Sequence, residues 1–281
     1  MANNLKTVLL LGLLTGIILF IGSFWGRQGL TIALVMSIAM NFASYFFSDK
    51  IALRLYRAQA VTREQAPQIF RIVEYLCVRA DIPMPNIYLI PDESPNAFAT
   101  GRDPRHASIA VTQGALRLLS EEELSGVLAH EISHVKNRDI LISGVAATLA
   151  GMIMWVANMA RFATFFGGGR DHDDDGGGAL GGLLTIIVAP IAAMLIQMWI
   201  SRTREYQADA SGSDIAGSPH GLASALQKLE NYSKRIPMEA SPSTAHMFIV
   251  HPFSGRSLMS LFSTHPPIEK RIERLLARQV I

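Results

Sequence analysis

The amino-acid sequence predicts a mostly α-helical α+β fold in which a small antiparallel sheet is combined with four membrane-spanning helices. Four long runs contain no Asp, Glu, Lys or Arg, and they cover residues 7–26, 28–48, 140–160 and 176–201. Short strand-like segments lie between residues 86 and 112, and segments with apolar residues at helical spacing flank them. Because 49% of the residues are hydrophobic and only 17% are charged, the apolar content exceeds that of an ordinary soluble domain.

Each charge-free run reaches the length of about 20 residues that a helix needs to cross the hydrocarbon core. The first run is long for a cleaved signal peptide, lacks a small-residue cleavage site and is followed after Arg27 by the second run. We therefore expect the first two runs to form an N-terminal anchor hairpin. For the third and fourth runs, buried core helices are the alternative, because glycines and Pro190 interrupt the fourth.

Basic residues near the ends of the runs predict the orientation of the helices. The side richer in Lys and Arg faces the cytoplasm. One side carries Lys6, Lys50, Arg54, Arg57, Arg63, Lys136, Arg138, Arg202 and Arg204, whereas the other carries Arg27, Arg161 and Arg170. We therefore expect both termini and the segments outside the hairpins to lie in the cytoplasm.

The alternation of apolar and mixed sequence predicts four units. We expect a transmembrane hairpin at residues 1–48, the first part of a soluble domain at 49–139, a second hairpin at 140–201 and the second part of the soluble domain at 202–281. The second hairpin includes a Gly/Asp-rich loop at residues 167–178, whose Asp and His residues could bind a cation. Glycine on both sides provides no rigid frame for an ion, so we expect a solvated loop on the outer face.

Between residues 49 and 119 the sequence predicts one helix followed by three short strands. The helix opens at Thr62 and continues to about Ala80, and Cys77, the single cysteine, lies on its apolar face as inert core. One cysteine allows no intramolecular disulfide, which agrees with a reducing compartment. Strands are expected at residues 86–90, 96–100 and 108–112, and we expect them to form a small antiparallel sheet.

The next predicted helix carries an H-E-x-x-H motif. Ser120 is a good N-cap and three glutamates follow it, so the helix is expected to begin there. Residues four apart share one face of a helix, so His130 and His134 can bind one metal ion. Glu131 lies beside the first ligand, where its carboxylate can act as a general base on a water at the metal. The alternative is that both histidines are ordinary, partly buried residues near a membrane surface.

A third metal ligand is expected from a helix that follows the fourth run. A catalytic zinc site usually has three protein ligands and one open position. Glu205 is the predicted third ligand, and Asp209, four residues later on the same face, can hydrogen-bond a ligand and set its orientation. The alternative is a surface network of ion pairs with Arg202 and Arg204.

The C-terminal part of the chain completes the predicted elements. We expect an amphipathic helix at residues 218–232, an irregular region at 236–256, and a turn with a C-terminal helix at 263–275. His246 and His251 fall in the irregular region and are interpreted as loop residues.

One of the predicted strands offers an edge for an extended peptide. Main-chain hydrogen bonds to an exposed strand hold a peptide without requiring particular side chains. Either residues 96–100 or residues 108–112 could form that edge. The alternative for each strand is that it only supports the motif helix.

Together these residues resemble the M48 family of membrane zinc metallopeptidases, in particular its HtpX-type branch. The resemblance extends from the hydrophobic runs to four local motifs, and the combination is far more specific than H-E-x-x-H alone. The motifs are His130-Glu131-Ile132-Ser133-His134, Glu205-Tyr206-Gln207-Ala208-Asp209, Asn96-Ala97-Phe98-Ala99-Thr100-Gly101, and Thr264-His265-Pro266-Pro267 followed by Arg271.

The resemblance implies a zincin-like protease domain that binds one Zn²⁺ per chain. It implies His130, His134 and Glu205 as zinc ligands, Glu131 as the base and proton shuttle, and Asp209 as a hydrogen-bond partner of a ligand. It further implies that His265 or Arg271 stabilises the oxyanion, although His265 could instead be a helix-start residue fixed by the prolines that follow it. The implied substrate-binding edge consists of Asn96, Ala97, Phe98 and Ala99.

The family also implies a cellular role. The expected protein is a multi-pass, stress-linked endopeptidase of the bacterial inner membrane, with its catalytic domain in the cytoplasm. Its expected partners are misfolded membrane proteins or unfolded polypeptides, and the lipid bilayer. A net charge of +2 and the lack of a basic surface with interleaved aromatics give no reason to expect nucleic acid.

Two other classes of function compete with the protease interpretation. A zinc-stabilised membrane scaffold or chaperone would explain the hydrophobic runs and a metal site, but not the acid next to the first histidine. A transporter with a metal site inside the membrane would require ionisable residues within the spans, and the four runs contain no Asp, Glu, Lys or Arg.

Overall fold

The computed structural model describes residues 2–23, 26–148, 202–233, 244, 247–249 and 266–278. Helices dominate this part of the chain, as predicted, and a small sheet lies between them. In chain order the elements are α1 (Ala2–Ser23), α2 (Gly26–Leu55), β1 (Gln59–Ala60), α3 (Pro67–Ala80), β2 (Asn86–Ile90), β3 (Ala97–Gly101), β4 (Ala107–Thr112), α4 (Gln113–Leu118), α5 (Glu121–Lys136), α6 (Asp139–Thr148), α7 (Arg202–Ala216), α8 (His220–Ser233) and α9 (Ile268–Leu276).

Helices α1 and α2 pack against each other as an N-terminal hairpin. The amide of Asn41 donates a hydrogen bond to the Thr15 hydroxyl across the pair, at 2.8 Å. Within the described residues, α2 is the helix that is long and apolar enough to cross a membrane, and only 17% of its most apolar window is buried in the protein. Its exposed apolar side chains include Leu30, Ile32, Leu34, Val35, Met36, Ile38, Phe42, Tyr45, Phe46 and Phe47.

Helix α2 passes through residue 49, where the sequence predicted a change of unit. Charged residues such as Asp49 and Lys50 do not end a helix, so the chain stays helical to Leu55. There Leu53 joins an apolar cluster with Phe98 and Phe248. The hairpin is thus continuous with the core beside the sheet.

The third and fourth predicted spans lie largely outside the described residues. Helix α6 covers the start of the third run, and the structure describes nothing between residues 149 and 201. The Gly/Asp-rich loop at residues 167–178 belongs to that interval. A second transmembrane hairpin therefore stays a prediction from the sequence.

The sheet is mixed, so the prediction of an antiparallel sheet was wrong. Its strand order is β1-β2-β4-β3. Strand β4 pairs in parallel with β2, with Ile87 opposite Ile109, and antiparallel with β3, with Phe98 opposite Ala110. All residues of β4 are buried, and so are those of β3, although β3 is the outer strand. The segment after β2 therefore carries the chain to the far side of β4 before β3 begins.

The helix predicted from Thr62 begins five residues later, at Pro67. Residues 62–65 form a turn in which the backbone amide of Thr62 donates to the Gln65 side chain. Proline is favoured in the first turn of a helix because its missing N–H has no helical partner there. Cys77 is buried on this helix as predicted, and burial raises the pKa of its thiol to about 11, so the thiol stays protonated at neutral pH.

Helix α5 packs against β3, α3, α7 and α8. It begins after Ser120, as predicted, with a capping box between Ser120 and Glu123. The Glu123 carboxylate also accepts hydrogen bonds from the Ser224 hydroxyl at 2.6 Å and the Lys228 ammonium at 2.8 Å on α8. One buried carboxylate thereby joins the start of α5 to α8.

Replacing Glu123 with Gln is expected to lower the free energy of unfolding by about 2 kcal/mol, because a charged acceptor of three hydrogen bonds is lost. Burial alone would raise the pKa of Glu123, but Lys228, Ser224 and the Ser120 backbone hold that pKa below its ordinary value. The charged form is therefore favoured in the folded state. Its stabilisation is fully present above the unfolded-state pKa of about 4.3 and is lost progressively as the pH falls from there through the lower folded-state pKa.

Thermal unfolding of the detergent-solubilised chain at pH 7 and pH 4 measures this effect. The difference in unfolding temperature between the wild-type protein and Glu123→Gln should be large at pH 7 and smaller at pH 4. The exposed neighbour Glu122, changed to Gln, is the matched control and should leave the unfolding temperature unchanged. An equal difference in unfolding temperature at both pH values would show that the stabilisation does not depend on the charge of Glu123.

Candidate metal centre

The metal-binding face of α5 meets helix α7. A Cβ atom on Gly212 of α7 would lie 2.9 Å from the Cα atom of His130, so only glycine lets the two backbones approach this closely. The close approach brings Glu205 to the histidines of the motif. The Nε2 atom of His130 lies 3.7 Å from Glu205 Oε2, and the Nε2 atom of His134 lies 3.6 Å from Glu205 Oε1.

These three side chains form a group whose geometry fits one metal ion. The two Nε2 atoms lie 3.2 Å apart, and one donor atom from each of the three residues lies within 4.8 Å of the others. Zinc binds imidazole nitrogen at about 2.0–2.1 Å and carboxylate oxygen at about 2.0–2.2 Å in a tetrahedron, which separates neighbouring ligand atoms by about 3.3 Å. The observed spacings of 3.2–3.7 Å match that requirement without a large movement.

His130 is held by a carboxylate on its far side. Its Nδ1 atom lies 3.0 Å from Asp209 Oδ1, so the proton of a neutral ring belongs on Nδ1 and the Nε2 lone pair points to the site. Burial lowers the pKa of His130, although the hydrogen bond to Asp209 opposes the shift. A neutral imidazole with a free Nε2 lone pair is the form that binds a metal.

Asp209 is in turn bound by Arg271. The guanidinium Nε donates to Asp209 Oδ2 at 2.9 Å and its Nη2 donates to Oδ1 at 2.6 Å, which is a two-point ion pair. Burial alone would raise the pKa of Asp209, but the Arg271 charge lowers it to about 2. Arg271 is 0% exposed, and its Nη1 also donates to the Ile249 carbonyl. The guanidinium therefore lies behind the His130 ring.

Glu131 lies next to the three potential ligands. Its Oε2 atom accepts a hydrogen bond from the backbone N–H of Ala99 at 2.9 Å. Burial raises the pKa of Glu131 to about 8, with His134 opposing the shift and Glu205 adding to it. A carboxyl group with a pKa near neutrality can both accept and return a proton.

The His134 ring has a partner that the sequence alone did not indicate. Its Nδ1 atom lies 3.2 Å from Asp139 Oδ2 at the start of α6. Burial alone would lower the pKa of His134, but Asp139, Glu205 and Glu131 together raise it to about 9. The sequence feature that could have indicated this contact is an acid, Asp139, five residues after His134 and beyond the end of its helix.

A cavity opens onto these side chains. The residues that line it are Ala99, His130, Glu131, His134, Ile140, Ser143, Glu205, Met247, Phe248 and Ile249. Met247, Phe248 and Ile249 add apolar surface from a part of the chain that the sequence suggested to be irregular. The cavity has the mixture of apolar wall and convergent polar groups that is typical of ligand sites.

The structure distinguishes between the two strands expected to bind substrate. Strand β4 is central and has no free edge, whereas β3 is the outer strand. Among the predicted edge residues, Ala99 lines the cavity, and Phe98 packs against Tyr56 and Phe248 instead. Asn96 caps its own strand by accepting from the Ala97 N–H, and the Ala97 carbonyl accepts from the Ile249 N–H at 3.4 Å.

Of the two residues expected to stabilise the oxyanion, the structure describes only Arg271. His265 lies outside the described residues. Arg271 comes near the site, with its Nη1 atom 3.9 Å from Glu205 Oε2, but the described cavity wall does not include it. Its guanidinium therefore contacts the residues that hold the ligands and does not face the cavity.

Comparison with known proteins places the chain in a family. The sequence model of Peptidase family M48 matches residues 63–279. A protease HtpX homologue from Desulfatibacillum aliphaticivorans is 57% identical over 277 residues, which cover 98% of this chain and 89% of the relative. A protease HtpX homologue from Syntrophobacter fumaroxidans is 57% identical over 279 residues, which cover 98% of this chain and 99% of the relative.

A solved structure has a fold similar to that of this chain, at a lower sequence identity. The crystal structure of S. mikatae Ste24p superposes with a TM-score of 0.54 at 20% sequence identity, and it covers 94% of this chain. The chain spans 62% of the length of that structure. The high-identity relatives and the family match, together with the His-His-Glu group at the cavity, agree with a metal-dependent protease that carries a membrane helix. The chain therefore belongs to peptidase family M48 and is a metalloprotease of the HtpX type.

Proposed function

We propose that the protein is a zinc-dependent endopeptidase of the bacterial inner membrane, with one zinc ion per chain bound by His130, His134 and Glu205. The observation that carries the proposal is the convergence of these three donors beside Glu131 at one cavity. When bound, zinc supplies a Lewis acid that polarises the scissile carbonyl and lowers the pKa of water.

In this proposal Glu131 moves the proton during peptide hydrolysis. The Ala99 N–H holds Glu131 Oε2, which leaves Oε1 to take a proton from the attacking water. The same carboxyl group then returns a proton to the leaving amine. Ala99 thus orients the base from the edge strand of the sheet.

We further assign the Asp209–Arg271 pair a positioning role. Asp209 holds the Nδ1 atom of His130, and Arg271 holds both oxygens of Asp209. Such outer partners orient a metal ligand and raise its basicity. Arg271 therefore acts through Asp209 and His130. A different group, one that faces the cavity, would stabilise the oxyanion.

Replacing Arg271 with Lys is expected to reduce kcat/KM by about 10–100-fold, because an ammonium cannot reproduce the two-point contact to Asp209. Steady-state cleavage of an unfolded polypeptide by the detergent-solubilised protein measures the loss. The control is Arg274→Lys on the same helix, since Arg274 is exposed and lies over the Tyr206 ring. Equal activity of wild type and Arg271→Lys would contradict the positioning role.

The proposed substrates are misfolded or damaged membrane proteins, cleaved at the cytoplasmic face as part of membrane quality control under stress. Support comes from the continuity of α2 with the core beside β3, which keeps the cavity close to the apolar helix. Basic Lys50 and Arg54 follow the most apolar part of α2, as expected for the cytoplasmic end of a span. Multi-pass topology with both termini in the cytoplasm completes the proposal.

Removal of the metal tests the proposal against a non-catalytic scaffold or chaperone. The purified full chain is treated with a chelator, and cleavage of an unfolded membrane protein and helix content are measured before and after zinc is added back. We expect cleavage to disappear on chelation and to return with zinc, while most of the helical structure is retained. A protein that folds with zinc but does not cleave polypeptide under any of these conditions would refute the endopeptidase assignment.

A further inference from the structure

We infer that Asp139 is a positioning residue for the metal centre and that it joins His134 to the helix that carries Glu205. The inference rests on the proposed metalloprotease function and concerns a residue outside the ligand set and outside the Asp209–Arg271 pair. Asp139 is 5% exposed, and its two carboxylate oxygens face different partners. Oδ2 lies 3.2 Å from His134 Nδ1, and Oδ1 lies 3.7 Å from Arg204 Nη1.

The contact to His134 sets the ring for metal binding. In the neutral form that binds a metal, the imidazole carries one proton, and a carboxylate next to Nδ1 keeps that proton on Nδ1. The Nε2 lone pair then points to His130 Nε2 and Glu205, where the metal would lie. Asp139 thus does for the second histidine what Asp209 does for the first.

The backbone between the two residues explains why Asp139 reaches back to the ring. Helix α5 ends at Lys136, and Arg138 adopts a left-handed conformation with φ of 58°. A left-handed residue ends α5 there, and Asp139, the first residue of α6, lies against the His134 ring in the last turn of α5. The Asp139 side chain therefore packs beside the ring that precedes it by five positions.

The contact to Arg204 extends the effect to the third ligand. Arg204 is 6% exposed and precedes Glu205 in the first turn of α7. Because Asp139 begins α6 and Arg204 lies at the start of α7, the ion pair connects the two helices that flank the interval 149–201. One carboxylate consequently contacts both His134 on α5 and the residue that precedes Glu205 on α7.

Zinc affinity of the full chain tests this inference directly. The variants are Asp139→Asn, which keeps the shape of the side chain, and Asp139→Ala. Zinc is titrated in competition with a chromophoric chelator, and the visible spectrum of the Co²⁺-substituted protein reports the geometry of the site. We expect Asp139→Asn to bind zinc about 10-fold more weakly and Asp139→Ala up to about 100-fold more weakly, with altered Co²⁺ bands.

A matched control and a stability measurement separate positioning from simple destabilisation. Asp81→Asn is the control because Asp81 is exposed and lies at the end of α3. Its backbone is left-handed there, and Asn tolerates that conformation as well as Asp does. The unfolding temperature of each metal-free variant is recorded alongside its zinc affinity. A purely structural role would lower the unfolding temperature of metal-free Asp139→Asn and leave its zinc affinity at the wild-type value.

The outcomes distinguish this inference from the proposed function. If wild type binds one zinc and cleaves polypeptide, whereas folded Asp139→Asn has the wild-type zinc affinity and Co²⁺ spectrum, the role of Asp139 is refuted and the protease assignment stands. If the wild-type protein binds no zinc, the proposed zinc-dependent function is refuted, and the inference about Asp139 is refuted with it. Should Asp139→Ala fail to fold, Asp139→Asn decides the question.

Discussion

Replacing Glu131 with Gln is expected to lower kcat by about 10²–10⁴-fold while the protein keeps its metal. Glutamine has the shape of glutamate and its carbonyl oxygen can still accept the Ala99 N–H, so the side chain stays in place. It cannot take a proton from the attacking water, however, and the general-base contribution is lost. The loss falls on kcat because the proton transfer occurs in the chemical step and not in substrate binding.

Single-turnover cleavage and elemental analysis together measure this prediction. The variant should contain as much zinc as the wild-type protein and should release product far more slowly. Glu122→Gln, an exposed residue on the same helix, serves as the control and should cleave at the wild-type rate. Wild-type turnover by a metal-loaded Glu131→Gln protein would remove Glu131 from the mechanism.

Replacing Glu205 with Ala is expected to abolish both zinc binding and proteolysis. Two histidines alone leave the site one ligand short of the three protein ligands that a catalytic zinc normally has. Glu205 is 4% exposed and its two oxygens lie 3.6–3.7 Å from the two Nε2 atoms, so no other described acid occupies its position between them. The fold should persist because Asp209, on the same helix as Glu205, keeps its ion pair with Arg271 on α9.

The zinc content of the purified variant decides the prediction. Gln207→Ala is the matched control, since Gln207 lies on the same helix with an exposed side chain. The control should retain full zinc and full activity, whereas Glu205→Ala should lose both and keep its helix content. Full zinc occupancy in Glu205→Ala would exclude Glu205 as a ligand and would require a different metal site.

Local features of the fold were predictable because short-range interactions determine them. The cap at Ser120, the acids after it and the helical spacing of the motif predicted the start of α5 and the shared face of its two histidines. Strand β2 was predicted with its observed ends, and the predicted starts of β3 and β4 differed from the observed ones by one residue. Each of these features depends on neighbours within a few positions.

The pairing of the strands was not predictable in the same way. Three strands joined by short turns suggested consecutive antiparallel pairs, but β4 inserts between β2 and β3. Both β3 and β4 are buried at every position, so the apolar character of each strand does not distinguish the central position from the outer one. The strand order depends on contacts across the whole domain, and no single segment contains them.

The sequence by itself therefore determined the motif helix, the apolar character of the N-terminal hairpin and the identity of the acids and imidazoles available for chemistry. Only the tertiary structure decided which of them meet. Glu205 reaches the histidines because Gly212 lets α7 lie against α5, Arg271 faces Asp209 and not the cavity, and Asp139 turns back onto His134. Periodicity and propensity act along the chain, whereas these contacts join residues that only packing brings together.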